Sequence, residues 1–301
     1  MTRDITPISD QDLCDFLLKH RLPQEFRDIA ERHYLPFAMR LPDYRAGKKS
    51  LFLGINGAQG TGKSTLADFL RVATASVFDW TVAVLSIDDF YYTREKRKHL
   101  AEDVNPLLEV RGVPGTHDTV MLRQCIEQLR TADYDDQVTL PRFDKSIDDR
   151  ADASTWPVIR GPVDLIILEG WCVGTRAQPE SELGQPINQL ERDEDTSGAW
   201  RGYVNDQLNS HYAEIFDDLD MLVFLRAPSF EAIHTWRIEQ EEKLAAKSSQ
   251  AASGLMNREQ ITRFIEFFER LTRVNLTTLS NTADIVFSLD ESHAIESVRQ
   301  S

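Results

Sequence analysis

Residues 51–65 read L-F-L-G-I-N-G-A-Q-G-T-G-K-S-T, an apolar run that breaks into the spacing G-x-x-x-x-G-K-S and continues with helical periodicity. No other stretch constrains the fold so tightly. A strand that turns at once into a helix through glycines lets the backbone curl, so that successive N–H groups converge on one anion at the helix N-terminus. Gly57, Ala58, Gln59, Gly60, Thr61 and Gly62 are the expected nest, with Lys63 as a point charge reaching the outer phosphates of a nucleotide. Ser64 offers a hydroxyl to Mg²⁺, and Thr65 follows in the first helical turn. Leu66, Phe69, Leu70 and Ala73 then supply the apolar face that such a helix buries.

The other strands fall into step with this one. Residues 81–87 (T-V-A-V-L-S-I), 163–168 (V-D-L-I-I-L), 221–225 and 283–289 are short apolar runs, as expected of strands buried on both faces. Helical patterns separate them, among them residues 118–129 with Asp118 as N-cap, 200–216, a helix from Ser229 to about Lys247, and 257–279. Five strands alternating with helices predict an α/β fold with a parallel sheet covered on both sides. Residues 1–49 read as helices that cover one side of that sheet, and residues 50–301 as the main domain. Residues 137–150 predict a loop or short hairpin, and 174–198, polar and acidic with scattered Pro and Gly, a long loop. Residues 248–254 are small and polar, the composition of a lid tip.

Composition excludes several classes. The chain has 301 residues, a formal net charge of −15 and 41% hydrophobic residues, and its longest apolar runs are far short of a membrane span. So acidic a balance argues against gripping a nucleic-acid backbone. Any anionic ligand must therefore be met by locally concentrated cations. Cys14, Cys125 and Cys172 are odd in number, far apart and without C-x-x-C, which speaks against both a disulfide framework and a zinc site. The opening M-T-R-D-I lacks the layout of a signal or transit peptide, so the expectation is a cytoplasmic protein.

Ligands of a parallel α/β sheet gather at the carboxyl ends of its strands. That rule selects the turn at 57–64, Asp88 after the second strand and Glu169 at the end of the third. Two carboxylates facing a nucleotide have natural tasks: one orients or deprotonates an acceptor hydroxyl, the other holds magnesium directly or through water. Asp88 is assigned the first task and Glu169 the second; each could instead cap a helix or stand in solvent. Asp89, the neighbour of Asp88 at a strand end, is expected to point away from it.

The combination of GAQGTGKS, S-I-D-D-F-Y, N-P-L-L-E-V-R-G-V-P-G-T-H-D, L-P-R-F-D-K-S, L-E-G-W-C-V-G and W-R-I-E-Q-E resembles D-glycerate 3-kinases of the plant type and their fungal and bacterial relatives. These stand with uridine kinase, pantothenate kinase and phosphoribulokinase among P-loop small-molecule kinases. The resemblance runs over nearly the whole chain. It implies a three-layer α/β/α sandwich of the P-loop NTPase type, with sheet order 2-3-1-4-5, N-terminal helices and a lid at about 237–258. It also implies Asp88 as base, Glu169 as the Mg²⁺-associated carboxylate, Asp144 on the substrate side, and Arg237 closing over the transferring phosphoryl group.

A small acidic acceptor needs its carboxylate neutralised, and Arg111, His117, Arg142 and Lys145 are the basic or ionisable groups that follow the second strand, with Tyr91 beside Asp88. Alternatives stay open: Arg142 or Lys145 could pair with Asp144, His117 could be a satisfied turn histidine, and Arg237 could pair with neighbouring glutamates. The expected activity is ATP- and Mg²⁺-dependent phosphorylation of a hydroxyl on a small acidic metabolite, D-glycerate giving 3-phosphoglycerate. The alternatives are the same fold acting on a nucleoside, a pantothenate-like acid or a sugar, or a nucleotide-dependent regulatory protein.

Overall fold

The computed structural model describes residues 8–247 and 258–300. Its centre is a six-stranded sheet built from β1 (Leu51–Gly57), β2 (Val82–Ser86), β3 (Leu165–Gly170), β4 (Met221–Arg226), β5 (Ile285–Leu289) and β6 (Ile295–Gln300). In space the strands lie β2-β3-β1-β4-β5-β6, so the five parallel strands follow the expected order 2-3-1-4-5. The sixth is an addition: β6 pairs antiparallel with β5 at the edge. Its sequence, I-E-S-V-R-Q, is charged and largely exposed, so no apolar run announces it.

Alternation along the strands divides the apolar residues between two faces. Leu51, Leu53 and Ile55 of β1, with Leu165, Ile167, Val223 and Phe287, face helices α1 (Asp10–His20) and α2 (Lys63–Phe78) and the helical turns at 26–45. Phe52, Ile166 and Leu168 face the other way, onto α3 (Thr119–Thr131), α4 (Ala199–Gln207) and α5 (Arg258–Thr282). The result is the three-layer sandwich. Leu13, Phe16, Leu17, Tyr34 and Phe37 from the first 45 residues are buried in the first of these clusters, and Tyr34 meets Phe69 and Phe287 ring to ring at 5.7 and 5.6 Å. At ~1.5–3 kcal/mol for each large apolar side chain removed from water, this layer is a substantial share of the core. The chain stays helical through Pro36: a π-helical stretch, Ala30–Tyr34, runs directly into Leu35–Ala38, and the widened turn precedes the proline that cannot donate.

Of the two segments expected as a long loop and as a loop or short hairpin, the first differs in detail and the second is a hairpin. Residues 174–198 contain the short helices Glu180–Leu183 and Gln189–Glu194, tied to α5 by a buried pair in which Arg270 donates to Glu191 Oε1 and Oε2 at 2.7 and 2.6 Å. That long-range pair is invisible in the local sequence. Residues 143–150 form a small hairpin, Phe143 opposite Arg150 and Asp144 opposite Asp149. The helix after β4 covers Phe230–Lys247, and the lid tip expected at 248–254 lies outside the described residues. Among the described residues no helix is long and apolar enough to cross a membrane.

Candidate active site

The strand register brings three chain segments to one end of the sheet. Ile55 and Ser86 both sit level with Glu169, so β1, β2 and β3 release their carboxyl ends side by side. From β1 the chain enters the turn that opens α2. Gly62 caps α2 with φ +89°, a left-handed backbone that other residues rarely adopt, and a Cβ on Gly57 would lie 2.4 Å from Thr61 Oγ1. The nest thus depends on those two positions. Lys63 folds back so that Nζ donates to the Ala58 carbonyl at 3.1 Å. Withdrawal from solvent pushes its ammonium below the ordinary lysine range, with Glu169 and Asp88 pulling the other way. Ser64 Oγ donates to Glu169 Oε1 at 2.9 Å.

Asp88 stands on a single 3₁₀ turn, Ile87–Phe90, directly after β2. Both of its oxygens are engaged: Tyr91 Oη donates to Oδ1 at 3.0 Å and Lys145 Nζ to Oδ2 at 2.7 Å. Burial would raise its pKa, but the Lys145 charge and hydrogen bond outweigh it, and the carboxyl lies below the usual aspartate value. Asp89 turns away, as expected of a strand-end neighbour, and accepts from the Phe143 N–H at 3.2 Å and from Arg142 at 3.3 Å. Its role is to hold the hairpin.

A cleft of about 810 Å³ opens over these groups, lined among others by Gln59, Gly60, Lys63, Ser64, Asp88, Tyr91, Arg111, Lys145 and Arg237. Glu169 lines a recess of about 330 Å³ that shares Gln59, Lys63, Ser64, Asp88 and Lys145. The cleft wall carries six cations, Lys63, Arg94, Arg97, Arg111, Lys145 and Arg237, against the three carboxylates Asp88, Glu109 and Asp148. On a chain of net charge −15 this is the local concentration of positive charge that an anionic ligand requires. Arg237 enters from the helix after β4, its guanidinium 5.6 Å from the Phe264 ring.

Three residues expected on the substrate side do not line the cleft. Arg142 is spent on Asp89 and on its neighbour's carbonyl, Pro141 O at 2.8 Å. Asp144 folds onto its own turn, accepting from the Ser146 N–H at 2.8 Å and Ser146 Oγ at 2.5 Å. His117 is buried beneath Tyr91, the rings stacked at 4.5 Å, with Nδ1 2.6 Å from Tyr212 Oη. Burial pushes its pKa down to about 4, so it is neutral at neutral pH. Conversely Arg94, Arg97, Glu109 and Asp148 line the cleft and were not singled out, because charged residues in a polar segment carry no periodic signal. Cys125 and Cys172 are buried, and burial raises both thiols.

No family model matches the chain. Among individual proteins, it is 32% identical over 240 residues to the kinase mug58 of Schizosaccharomyces pombe, covering 77% of this chain and 83% of that one. It is 29% identical over 282 residues to the chloroplastic D-glycerate 3-kinase of Arabidopsis thaliana, covering 87% of this chain and spanning 57% of that enzyme. The solved structure of D-glycerate 3-kinase from Cryptococcus neoformans superposes with a TM-score of 0.74 at 25% identity, over 93% of this chain and all of that one. Sequence and fold agree in where they lead: the chain belongs to the family of P-loop kinases related to D-glycerate 3-kinase.

Proposed function

We propose that this protein is an ATP-dependent kinase that phosphorylates a hydroxyl of a small hydroxy acid, with D-glycerate giving 3-phosphoglycerate as the leading reaction. The observation that carries the reading is the convergence of the Lys63 turn, Asp88 and Glu169 at three adjacent strand ends, beneath a cleft rich in cations. The backbone nest and Lys63 hold the β- and γ-phosphates, and Asp88 aligns the acceptor hydroxyl. The acceptor oxygen bonds to the γ-phosphorus as the bond to the β–γ bridging oxygen breaks; the hydroxyl proton passes to Asp88 and ADP leaves. A carboxylate with a depressed pKa is a weak base, which suits a loose transition state that asks for alignment before basicity. Lys145 must yield part of Asp88 to the incoming hydroxyl, and Arg237 steadies the phosphoryl group.

Ser64 and Glu169 fit Mg²⁺. Both offer hard oxygen donors, already 2.9 Å apart, and the described residues hold no cluster of three or more His, Cys, Asp or Glu that would build a protein-only cage. That donor set suits an ion completed by phosphate oxygens and water. When bound, the ion supplies charge neutralisation across the transferred group. In the same reading residues 50–301 form the catalytic domain, the segment at about 237–258 its lid, and 1–49 a helical extension.

The test is a panel of acceptors, D-glycerate, pantothenate, uridine and a sugar phosphate, in an ADP-release assay with ³¹P identification of the product. D-glycerate should give the highest kcat/KM. A preference for uridine or pantothenate would reassign the acceptor, and turnover stimulated by a protein partner but by no metabolite would replace the reading with a regulatory one.

A further inference from the structure

A second charged cluster lines the cleft at the hairpin tip, and the reaction described above does not use it. Asp148 has φ 55°, a left-handed conformation that aspartate tolerates better than most residues. Its carboxylate is shared between two arginines: Oδ2 lies 2.9 Å from Arg97 Nη2 as an ion pair, and Oδ1 accepts from Arg111 Nη1. The two arginines differ in kind. Arg97 is 1% exposed and spends its remaining donors on the backbone carbonyls of Tyr92, Glu109 and Asp148, at 3.3, 2.6 and 2.8 Å. It is a fixed post. Arg111 is 30% exposed, lies 5.6 Å over the Phe143 ring and faces the cleft.

Two guanidinium groups share one carboxylate, so the cluster keeps a positive charge, presented by its more exposed member. Arg94 adds a second charge to this wall and the exposed carboxylate of Glu109 removes one, so the balance stays positive. Phe143 packs edge-on against Tyr91 at 5.3 Å, and Tyr91 in turn donates to Asp88. A buried ring, Phe143, thus ties Arg111, which lies over it, to Tyr91 in the cleft wall and through Tyr91 to Asp88. We infer that Arg111, held in its orientation by Asp148, seats the carboxylate of the acceptor, so that a compact hydroxy acid lies along Tyr91 with its hydroxyl at Asp88. This rests on the kinase reading above and names the acid end of its substrate site. Asp148 is a positioning residue: it acts through Arg111 and fixes the fork that a carboxylate needs.

The experiment compares the full-length protein with Arg111→Met, Arg111→Lys and Asp148→Asn, measuring KM for D-glycerate, KM for ATP, kcat, turnover of glycerol as a neutral acceptor, and Tm. Arg111→Met should raise the glycerate KM about tenfold or more while the ATP KM stays within about twofold, and Arg111→Lys, which keeps the charge but loses the fork, should fall between. Asp148→Asn should raise the glycerate KM by about three- to tenfold with kcat within about twofold, and should lower the preference for glycerate over glycerol. A glycerate KM within twofold of wild type in both Arg111→Met and Asp148→Asn overturns the inference, as does an equal rise in the ATP KM, which would give Arg111 to the γ-phosphate. If the wild-type protein turns over glycerate and only the variants are silent on KM, this inference falls alone. If it phosphorylates neutral acceptors and no acid, the acidic-acceptor reading falls with it while the phosphoryl-transfer mechanism stands.

Discussion

The two walls of the cleft are built on different principles. The wall that the proposed reading gives to the phosphates is backbone: consecutive amides from 57–64, curled by glycine at one helix end, with Lys63 tethered to a carbonyl of its own turn. The wall that the proposed reading gives to the acceptor is side chain: Asp88, Tyr91, Arg111, Lys145 and Asp148 arrive from a 3₁₀ turn, a loop and a hairpin, and most of their charges are already paired with one another. A backbone wall recognises what every nucleoside triphosphate shares. A wall of paired side chains can be retuned one residue at a time, so it is where members of one fold can diverge in acceptor. Damage to the first should abolish turnover whatever the acceptor, and damage to the second should alter rate, pH dependence or choice.

The largest effect belongs to the phosphate wall. Lys63→Ala should lower turnover about 10³-fold or more and weaken ATP binding as well, measured by steady-state kinetics and nucleotide titration. Full activity in that variant would be incompatible with any mechanism through this turn. Next comes the seam between the walls: Asp88→Asn should cost about 10²–10³-fold in kcat with ATP affinity nearly intact. A comparable loss of ATP affinity would move Asp88 to the nucleotide side and blur the division.

Lys145→Met tests the pairing itself. The lysine charge is what holds the Asp88 carboxyl below its ordinary value against burial, so its removal should shift the acidic limb of the kcat/KM profile to higher pH and reduce kcat/KM about tenfold. An unmoved limb would mean that Asp88 does not govern it. The smallest effect lies under the acceptor wall. His117 takes up a proton near 6.5 when exposed but only at about 4 in the folded chain, so its contribution to stability is complete above the first value and is lost as pH falls towards the second. The wild-type Tm should therefore fall more steeply between pH 6.5 and 4 than that of His117→Gln. Parallel slopes would show that burial of this histidine carries no such linkage.

Legibility follows the same division. The turn at 57–64 needs only eight consecutive residues, and their local geometry forces the helix start; Asp88 and Glu169 follow because ligands of a parallel sheet gather at the carboxyl ends of its strands. The strand order was likewise anticipated, while β6 was not, since an exposed antiparallel edge needs no apolar run. Of the residues expected on the substrate side, Tyr91, Arg111 and Lys145 line the cleft, while His117, Arg142 and Asp144 do not. In R-F-D-K-S-I-D-D-R nothing distinguishes Asp144, which closes its own turn, from Asp148, which bridges two arginines. Arg142 and Lys145 looked equivalent as bases, yet one is taken by Asp89 and the other reaches Asp88.

By itself the sequence determined whatever depends on neighbours along the chain: the alternation that buries each strand, the caps, the glycine turn and its lysine. Only the tertiary structure decided which polar groups meet across 37 to 105 residues, as Arg111 meets Asp148 and Ser64 meets Glu169. The reason is that an ion pair is set by where two backbones pass and by what else competes for each partner, and neither is written in the spacing of residues.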